Sequence, residues 1–427
     1  MKRIQDRSLM YLLLKKLLVS LFRFYYKRVT ILGQENIPED DVPVIFAPTH
    51  QNALMDAMAV HACYPDLIVF MMRGDAFGNP RIAKFLHFIK IMPVYRLREG
   101  YETLGKNANY FDWAVDTLKG RKALGIMPEG GQREQRRMRP LLKGLFRIGF
   151  QAQEQYKEES GVKIIPIGLD YGDYDHTGKH LIINVGKPLE FAPYYPEYEE
   201  NPSLAYNYIR EDLYGRMRDL IVHIDDEKNY ARYYLATLLG VEEKRTARLV
   251  KDNDEELFQA RKLFASRFPA AGQDLSPNLK PLVEKADKYL EIEPNPDRAF
   301  VLSQSIRKRE ILLAVMYSVI ILPSLILNGI PYLFIRRFTR AKFSHNGFTA
   351  SASFIMGFLL YPVYWLLFFL IYAISFSVFE GLFLFLIIAP ILALISIRIK
   401  YIYEDLFARI CFRCKYRKKS LHVTRYT

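Results

Sequence analysis

The chain has 427 residues, half of them hydrophobic and 14% aromatic, which allows two or three domains with an ample core and excludes wholesale disorder. Its formal net charge is +14. Residues 1–28 (eight Lys/Arg against one Asp) and residues 398–427 (nine against two acids) account for that whole surplus. The near-neutral remainder argues against a nucleic-acid-binding core, and basic ends beside apolar segments suit contact with anionic lipid.

At the N-terminus Lys15 and Lys16 interrupt the apolar run, and no small-residue cleavage site follows, so this is not a secretory signal. Met10, Leu14, Leu17, Leu18, Leu21 and Tyr25 recur at helical spacing, with Lys15, Lys16, Arg23 and Lys27 elsewhere on the wheel. That pattern predicts an amphipathic helix within 1–30 lying in a membrane interface; a helix packed on the protein's own core is the alternative. Three cysteines make no disulfide framework, and Cys411-Phe-Arg-Cys414 lacks the second ligand pair that a zinc site needs.

From 31 to 196, strand-like and helix-like stretches alternate. Val42-Pro-Val-Ile-Phe-Ala47, Asp66–Met72, Ile91–Tyr95, Ala123–Met127, Val162–Leu169 and Leu181–Val185 read as strands. Helical patterns over 53–64, 80–90, 103–119 and 141–156 separate most of them. Strands spaced by helices of this length imply an α/β fold, a mixed or parallel sheet flanked by helices, with sites in the loops past the strand ends. His50, Arg96 and Glu129 each follow an apolar strand directly.

His50 and Asp56 lie between a strand-like and a helix-like run. Six positions on an ideal helix amount to about 240° net, so the two side chains do not share a face. His50 is therefore expected in the loop ahead of the helix, with Asp56 reaching back from it. A histidine that acts as a base needs such a carboxylate to fix its tautomer and to stabilise the imidazolium.

Four stretches in order resemble the glycerolipid acyltransferase superfamily, which contains glycerol-3-phosphate and lysophosphatidate acyltransferases. They are the His50/Asp56 pair, Ile91-Met-Pro-Val-Tyr-Arg96, Met127-Pro-Glu-Gly-Gly131 followed by Leu142-Lys143-Gly144, and Ile164-Ile-Pro-Ile-Gly-Leu169. Gly186-Lys-Pro-Leu189 looks like the strand ending that often follows. Two departures stand out. Five residues rather than four separate His50 from Asp56, and the usual Pro-Glu-Gly-Thr-Arg-Ser reads Pro-Glu-Gly-Gly-Gln-Arg. Both resemble the fungal-type glycerol-3-phosphate/dihydroxyacetone-phosphate branch, and they displace the usual Arg-Ser phosphate ligands.

The resemblance implies that His50 is the catalytic base and Asp56 its orienting partner. Arg96 grips the acceptor phosphate, Glu129 holds acceptor hydroxyls or that arginine, and Gly130 and Gly131 allow close backbone approach. Lys143 and the run Arg133, Arg136, Arg137 and Arg139 become secondary phosphate or acyl-donor contacts. Taken alone, Arg96 reads as a solvated strand-end charge, Pro-Glu-Gly as a turn, and the arginine run as a solvated or lipid-facing loop. His176 and His180 lack a third convergent metal ligand, and no cofactor or metal is expected beyond acyl-CoA or acyl carrier protein as co-substrate.

Residues 197–310 are charged, Tyr-rich and helical, an accessory region with no catalytic motif. Residues 311–399 are membrane-like. Gly347–Phe379 and Gly381–Ile397 carry no charge, and Ile311–Ile335 is uncharged but holds Pro323, Gly329 and Pro331. The basic loop Arg336–Lys342 and the basic tail 400–427 both belong on the cytoplasmic side by the positive-inside rule. Spans at about 354–375 and 380–398, with 311–335 a re-entrant or interfacial element broken by its prolines, satisfy that rule and keep the catalytic domain cytoplasmic. The expected activity is transfer of a fatty acyl group to glycerol-3-phosphate or dihydroxyacetone phosphate at a membrane, with no nucleic-acid partner. The alternatives are lysophosphatidate as acceptor, or a lipid-binding membrane protein with a degenerate acyltransferase domain.

Overall fold

The computed structural model describes residues 4–6, 8–39, 42–94, 101–156, 161–343 and 347–423, with backbone only at 101–109, 155 and 416–423. Two compact units emerge, one from 1–22, 30–170 and 182–222, the other from 23–29, 171–181 and 223–427.

The first unit is built on a sheet. Strands β1 (Arg28–Leu32), β2 (Val44–Pro48), β3 (Ile68–Arg73), β4 (Ile91–Val94), β5 (Ala123–Gly125), β6 (Lys163–Tyr171) and β7 (His180–Val185) lie in the order β1-β7-β6-β2-β5-β3-β4. A short β8 (Leu189–Glu190) pairs antiparallel with β6. The run from β6 to β4 is parallel throughout. Every residue of β2 is buried, which its unbroken apolar sequence requires of a central parallel strand covered on both faces. Helices α1 (Leu9–Tyr25), α2 (Leu54–Cys63), α3 (Pro80–Phe88), α4 (Tyr101–Lys119) and α5 (Gly144–Gln153) connect or flank the strands. After β8 come α6 (Tyr195–Glu200) and α7 (Pro202–Asp219). The sheet thus is the mixed α/β sheet flanked by helices that the strand pattern implies.

Two expectations change here. Helix α7 belongs to the sheet unit rather than to the accessory region, because Ala205, Ile209, Leu213 and Met217 sit in one core with Phe146 and Phe150 of α5. In α1, Lys15 is buried and caps the end of α2, donating to the carbonyls of Tyr64 (2.8 Å), Pro65 (3.0 Å) and Asp66. Tyr11 and Phe22 share that buried face, while Leu9, Met10, Leu13 and Leu17 point outward. The helix therefore packs on the core, which was the alternative raised by its sequence, and still presents an apolar stripe on its other face.

The second unit holds α8 (Tyr230–Thr246), α9 (Asp254–Ala265), α10 (Lys280–Leu290) and α11 (Pro296–Ser303), and then the apolar helices. Val241, Phe264 and Leu279 form a small core of their own among the first of these. Next come α12 (Lys308–Phe343), α13 (Thr349–Ser375), α14 (Val378–Phe383), a π-turn at Leu384–Ile388, and α15 (Ala389–Val423). Among the described residues three helices, Lys308–Phe343, Thr349–Ser375 and Val378–Lys415, are long and apolar enough to cross a membrane. Their surfaces are studded with exposed apolar side chains such as Val319, Ile326, Ile374 and Phe379, a surface that a bilayer would cover. Polar groups turn inward instead: Asn328 accepts from the Trp365 indole at 2.8 Å and donates to the Ala389 carbonyl at 3.0 Å.

The segment expected to break at its prolines is one continuous helix, α12, and it bends. Near its start, the Ala314 carbonyl accepts from Tyr403 and Glu310 pairs with Arg409 at 3.0 Å. Towards its end, Tyr332 and Arg336 meet Glu404 at 3.2 and 3.5 Å. A straight helix would hold residues 314 and 336 about 33 Å apart, more than the adjacent side chains of Tyr403 and Glu404 can bridge. Pro323, Gly329 and Pro331 lie in the interval that must bend, where each proline removes a backbone donor.

Candidate active site

Register brings the candidate residues together. Phe46 of β2 pairs with Gly125 of β5. His50 and Glu129 each lie four residues beyond that pair, in adjacent loops at the C-terminal edge of the parallel strands. The His50 backbone N–H accordingly donates to Glu129 Oε1 at 3.0 Å, and the His50 carbonyl accepts from the Arg133 N–H at 3.2 Å. Thr49, wholly buried, pins the loop to the sheet: its N–H donates to the Ile167 carbonyl at 2.9 Å, and its Oγ1 accepts from the Leu169 N–H at 3.1 Å.

Asp56 stands in the first turn of α2 and reaches back. Its Oδ2 accepts from the backbone N–H groups of Gln51 and Asn52, both at 2.8 Å, and lies 2.9 Å from His50 Nδ1. A carboxylate three positions into a helix that returns to the N–H groups ahead of it follows capping-box logic. Here the same oxygen also aims the imidazole. With Nδ1–H directed at Asp56, the Nε2 lone pair is left for a substrate proton. The Asp56 side chain is fully buried while that of His50 keeps 19% exposure, so only the histidine is open to a ligand. Ala53, between them, holds φ 45° and ψ −117°. That conformation suits glycine and stores strain beside the site.

Glu129 is 6% exposed, and its Oε2 accepts from the Arg139 N–H at 3.2 Å. Burial pushes its carboxyl up to about 7, against the pull of the His50 and Arg139 N–H groups and charges. Gly130 has φ +65°, a left-handed turn that its missing side chain permits. At Gly131 a Cβ would stand 2.9 Å from the Arg139 guanidinium, so that cation lies against Gly131.

The remaining candidates fall in different places. Lys143 is exposed at the start of α5. Arg96 lies outside the described residues. Arg136, expected with the solvated or substrate-facing arginines, is instead 1% exposed and paired with Asp170, Nε to Oδ1 3.1 Å. His176 pairs with Asp173 and His180 with Asp254. Sequence reasoning missed Thr49 and the backbone donors of Arg133 and Arg139, since neither a hydroxyl in a loop nor a main-chain N–H leaves a signal in residue type.

The Acyltransferase family profile matches residues 28–170, the stretch that holds His50, Asp56, Glu129, Arg139 and Lys143. This stretch is an acyltransferase domain of the glycerolipid acyltransferase superfamily. The domain is similar to the chloroplastic 1-acyl-sn-glycerol-3-phosphate acyltransferase of Brassica napus, 25% identical over 173 residues, 39% of this chain and 44% of the relative. The corresponding enzyme of Arabidopsis thaliana is 25% identical over 171 residues, 39% of this chain and 43% of the relative. The match thus spans less than half the length of these curated relatives. Among solved structures, the 1-acyl-sn-glycerophosphate acyltransferase PlsC from Thermotoga maritima has a TM-score of 0.36 and 15% identity, covering 51% of this chain and 83% of its own.

Proposed function

We propose that this acyltransferase moves a fatty acyl group from a thioester donor to a hydroxyl of glycerol-3-phosphate or dihydroxyacetone phosphate. The observation that carries the chemistry is the His50–Asp56 contact of 2.9 Å, with the Asp56 side chain buried and that of His50 accessible. His50 Nε2 takes the proton of the acceptor hydroxyl as its oxygen attacks the thioester carbonyl. The new C–O bond forms, the C–S bond breaks, and the imidazolium returns the proton to the leaving thiolate. Asp56 stabilises the imidazolium formed between those steps, and no covalent acyl-enzyme is needed. Arg139, Lys143 and Arg96 are the cations for the acceptor phosphate, and Glu129 with Gly130 and Gly131 frames the acceptor.

Lysophosphatidate is the second reading, favoured by the names of the relatives above. The apolar helices fit either acceptor, since the product belongs in the bilayer. A catalytic domain and tail on the cytoplasmic side follow the distribution of Arg336–Lys342 and the basic tail.

The deciding experiment is acyl transfer by the full chain in detergent. Labelled acyl-CoA or acyl carrier protein is offered with glycerol-3-phosphate, dihydroxyacetone phosphate or lysophosphatidate, beside H50A. Product from one acceptor, reduced at least about 10²-fold in H50A, supports the reading and identifies the acceptor. No transfer by folded protein in the presence of lipid favours the lipid-binding alternative.

A further inference from the structure

Residues 126–143, between β5 and α5, form neither strand nor helix. A connection of that length without secondary structure usually runs over the surface, because its backbone needs water. This one is drawn inward: its Met138 and Leu141 share one core with Ala47 of β2 and Phe146 of α5. Its neck is closed where the Leu142 N–H donates to the Pro128 carbonyl at 2.8 Å.

Midway round that loop stands Arg136. Its side chain is 1% exposed and its Nε donates to Asp170 Oδ1 at 3.1 Å, with the Asp170 side chain 3% exposed. Arg133 and Arg139 lie three residues to either side. Their main-chain N–H groups hold the His50 carbonyl and Glu129 Oε2, both at 3.2 Å. The anchored residue therefore sits between the two loop contacts that define the site. Asp170 is next in β6 to Leu169, whose N–H is held by Thr49, and the Thr49 N–H reaches the Ile167 carbonyl. One short stretch of one strand thus carries both loops, the His50 loop through Thr49 and the Glu129 loop through Arg136.

A buried ion pair is poor ground for stability. Taking a guanidinium and a carboxylate out of water costs about as much as their attraction returns, and apolar side chains of similar volume often replace such pairs without loss. What apolar side chains do not supply is direction. A planar guanidinium meets a carboxylate in few geometries, which fixes both the distance of the loop from β6 and its rotation.

We propose that Arg136 and Asp170 are positioning residues for acyl transfer. Their pair sets where residues 128–142 lie against β6, and so sets the spacing between His50 and the acceptor frame of Glu129, Gly130 and Gly131. The inference rests on the acyl-transfer reading and deepens it by two buried residues that act through others. Reacting groups tolerate little misplacement: a shift of about 1 Å costs about 10²-fold in rate.

The test compares the full chain in detergent micelles with R136M/D170V, which removes both charges at similar total volume, and with R136K, which keeps the charge and loses the fork. Melting curves should place R136M/D170V at or above the wild type. Its kcat is expected to fall about 100-fold, with the KM for the acyl donor within about twofold of wild type. R136K should recover part of that loss. A role in stability alone would lower the melting temperature and leave kcat in place. Hydrogen exchange read by mass spectrometry follows the same pair without turnover: amides of 128–142 should exchange faster in R136M/D170V, while those of β3 keep their wild-type rates. A kcat in R136M/D170V equal to that of the wild type overturns the inference, as does unchanged exchange in 128–142. So does a loss of kcat no larger than the loss of folded protein. If R136M/D170V does not fold, R136K decides, and wild-type kcat and exchange in that variant overturn the inference. No transfer by the wild-type chain overturns the acyl-transfer reading instead, and the exchange comparison alone then decides whether the pair positions the loop.

Discussion

His50 owes its position to backbone register, and its orientation to a single oxygen. Three donors converge on Asp56 Oδ2, so D56N leaves the loop's size and packing intact while replacing the anion opposite Nδ1. We expect kcat to fall about 10²- to 10⁴-fold with little change in KM, because the imidazolium exists only along the reaction path. Paired kcat and KM measurements check this; an equal loss in KM would instead point to a binding role for Asp56. Glu129 makes a separate, pH-dependent prediction. Burial raises its carboxyl from 4.5 to about 7 in the fold. A carboxyl raised in this way favours the fold below pH 4.5, and the advantage is lost as pH rises through 7, because the unfolded chain gives up the proton first. The difference amounts to about 3 kcal/mol. Denaturant titrations at a series of pH values should show this decline in the wild type and a flatter profile between pH 4.5 and 7 in E129Q.

Elements were legible where one stretch of sequence contained its own reason. β2 is an unbroken apolar run because both its faces are covered, and the short distance from His50 to Asp56 already placed one in a loop and the other on a helix. What escaped the sequence depended on a partner far along the chain. Lys15 lay on the polar side of the helical wheel, yet it is buried because the carbonyls ending α2 come to meet it. Arg136 looked like one more solvated arginine because Asp170, 34 residues away, is beside it only once β6 has joined the sheet. The charged, Tyr-rich helical character of 197–310 did not say that α7 packs on the sheet unit through Ala205, Ile209, Leu213 and Met217. The Lys15 case is testable. K15M keeps the length and apolar stem of the side chain but leaves the carbonyls of Tyr64, Pro65 and Asp66 without their donor. We expect a loss of about 2–3 kcal/mol in unfolding free energy, measured by chemical denaturation, whereas K16M, on the exposed face, should change little.

For the molecule in its membrane, the bend in α12 decides sidedness. If α12 crossed fully, three crossings would put Arg309 and the basic stretch Arg336–Lys342 on opposite sides. The contacts argue otherwise: Glu310 pairs with Arg409 and Arg336 with Glu404, so both ends of α12 return to the same stretch of α15. We therefore expect α12 to enter and leave through one face. In that arrangement α13 and the helix Val378–Lys415 would form the spanning hairpin, with Ser377, which caps α14 in the turn between them, on the far side. Every basic cluster of this region would then share one side, as positive-inside bias requires. Single cysteines at Arg309, Lys342 and Ser377, in a chain with Cys63, Cys411 and Cys414 replaced by serine, turn this into a measurement in sealed, oriented vesicles. An impermeant maleimide should label positions 309 and 342 from one side and position 377 only from the other. Labelling of 309 and 342 from opposite sides would mean that α12 spans the bilayer. Replacing Pro323 and Pro331 by alanine restores the donors whose loss allows the bend. In that background positions 309 and 342 should therefore begin to label from opposite sides, an outcome expected only if the prolines hold α12 in its returning course.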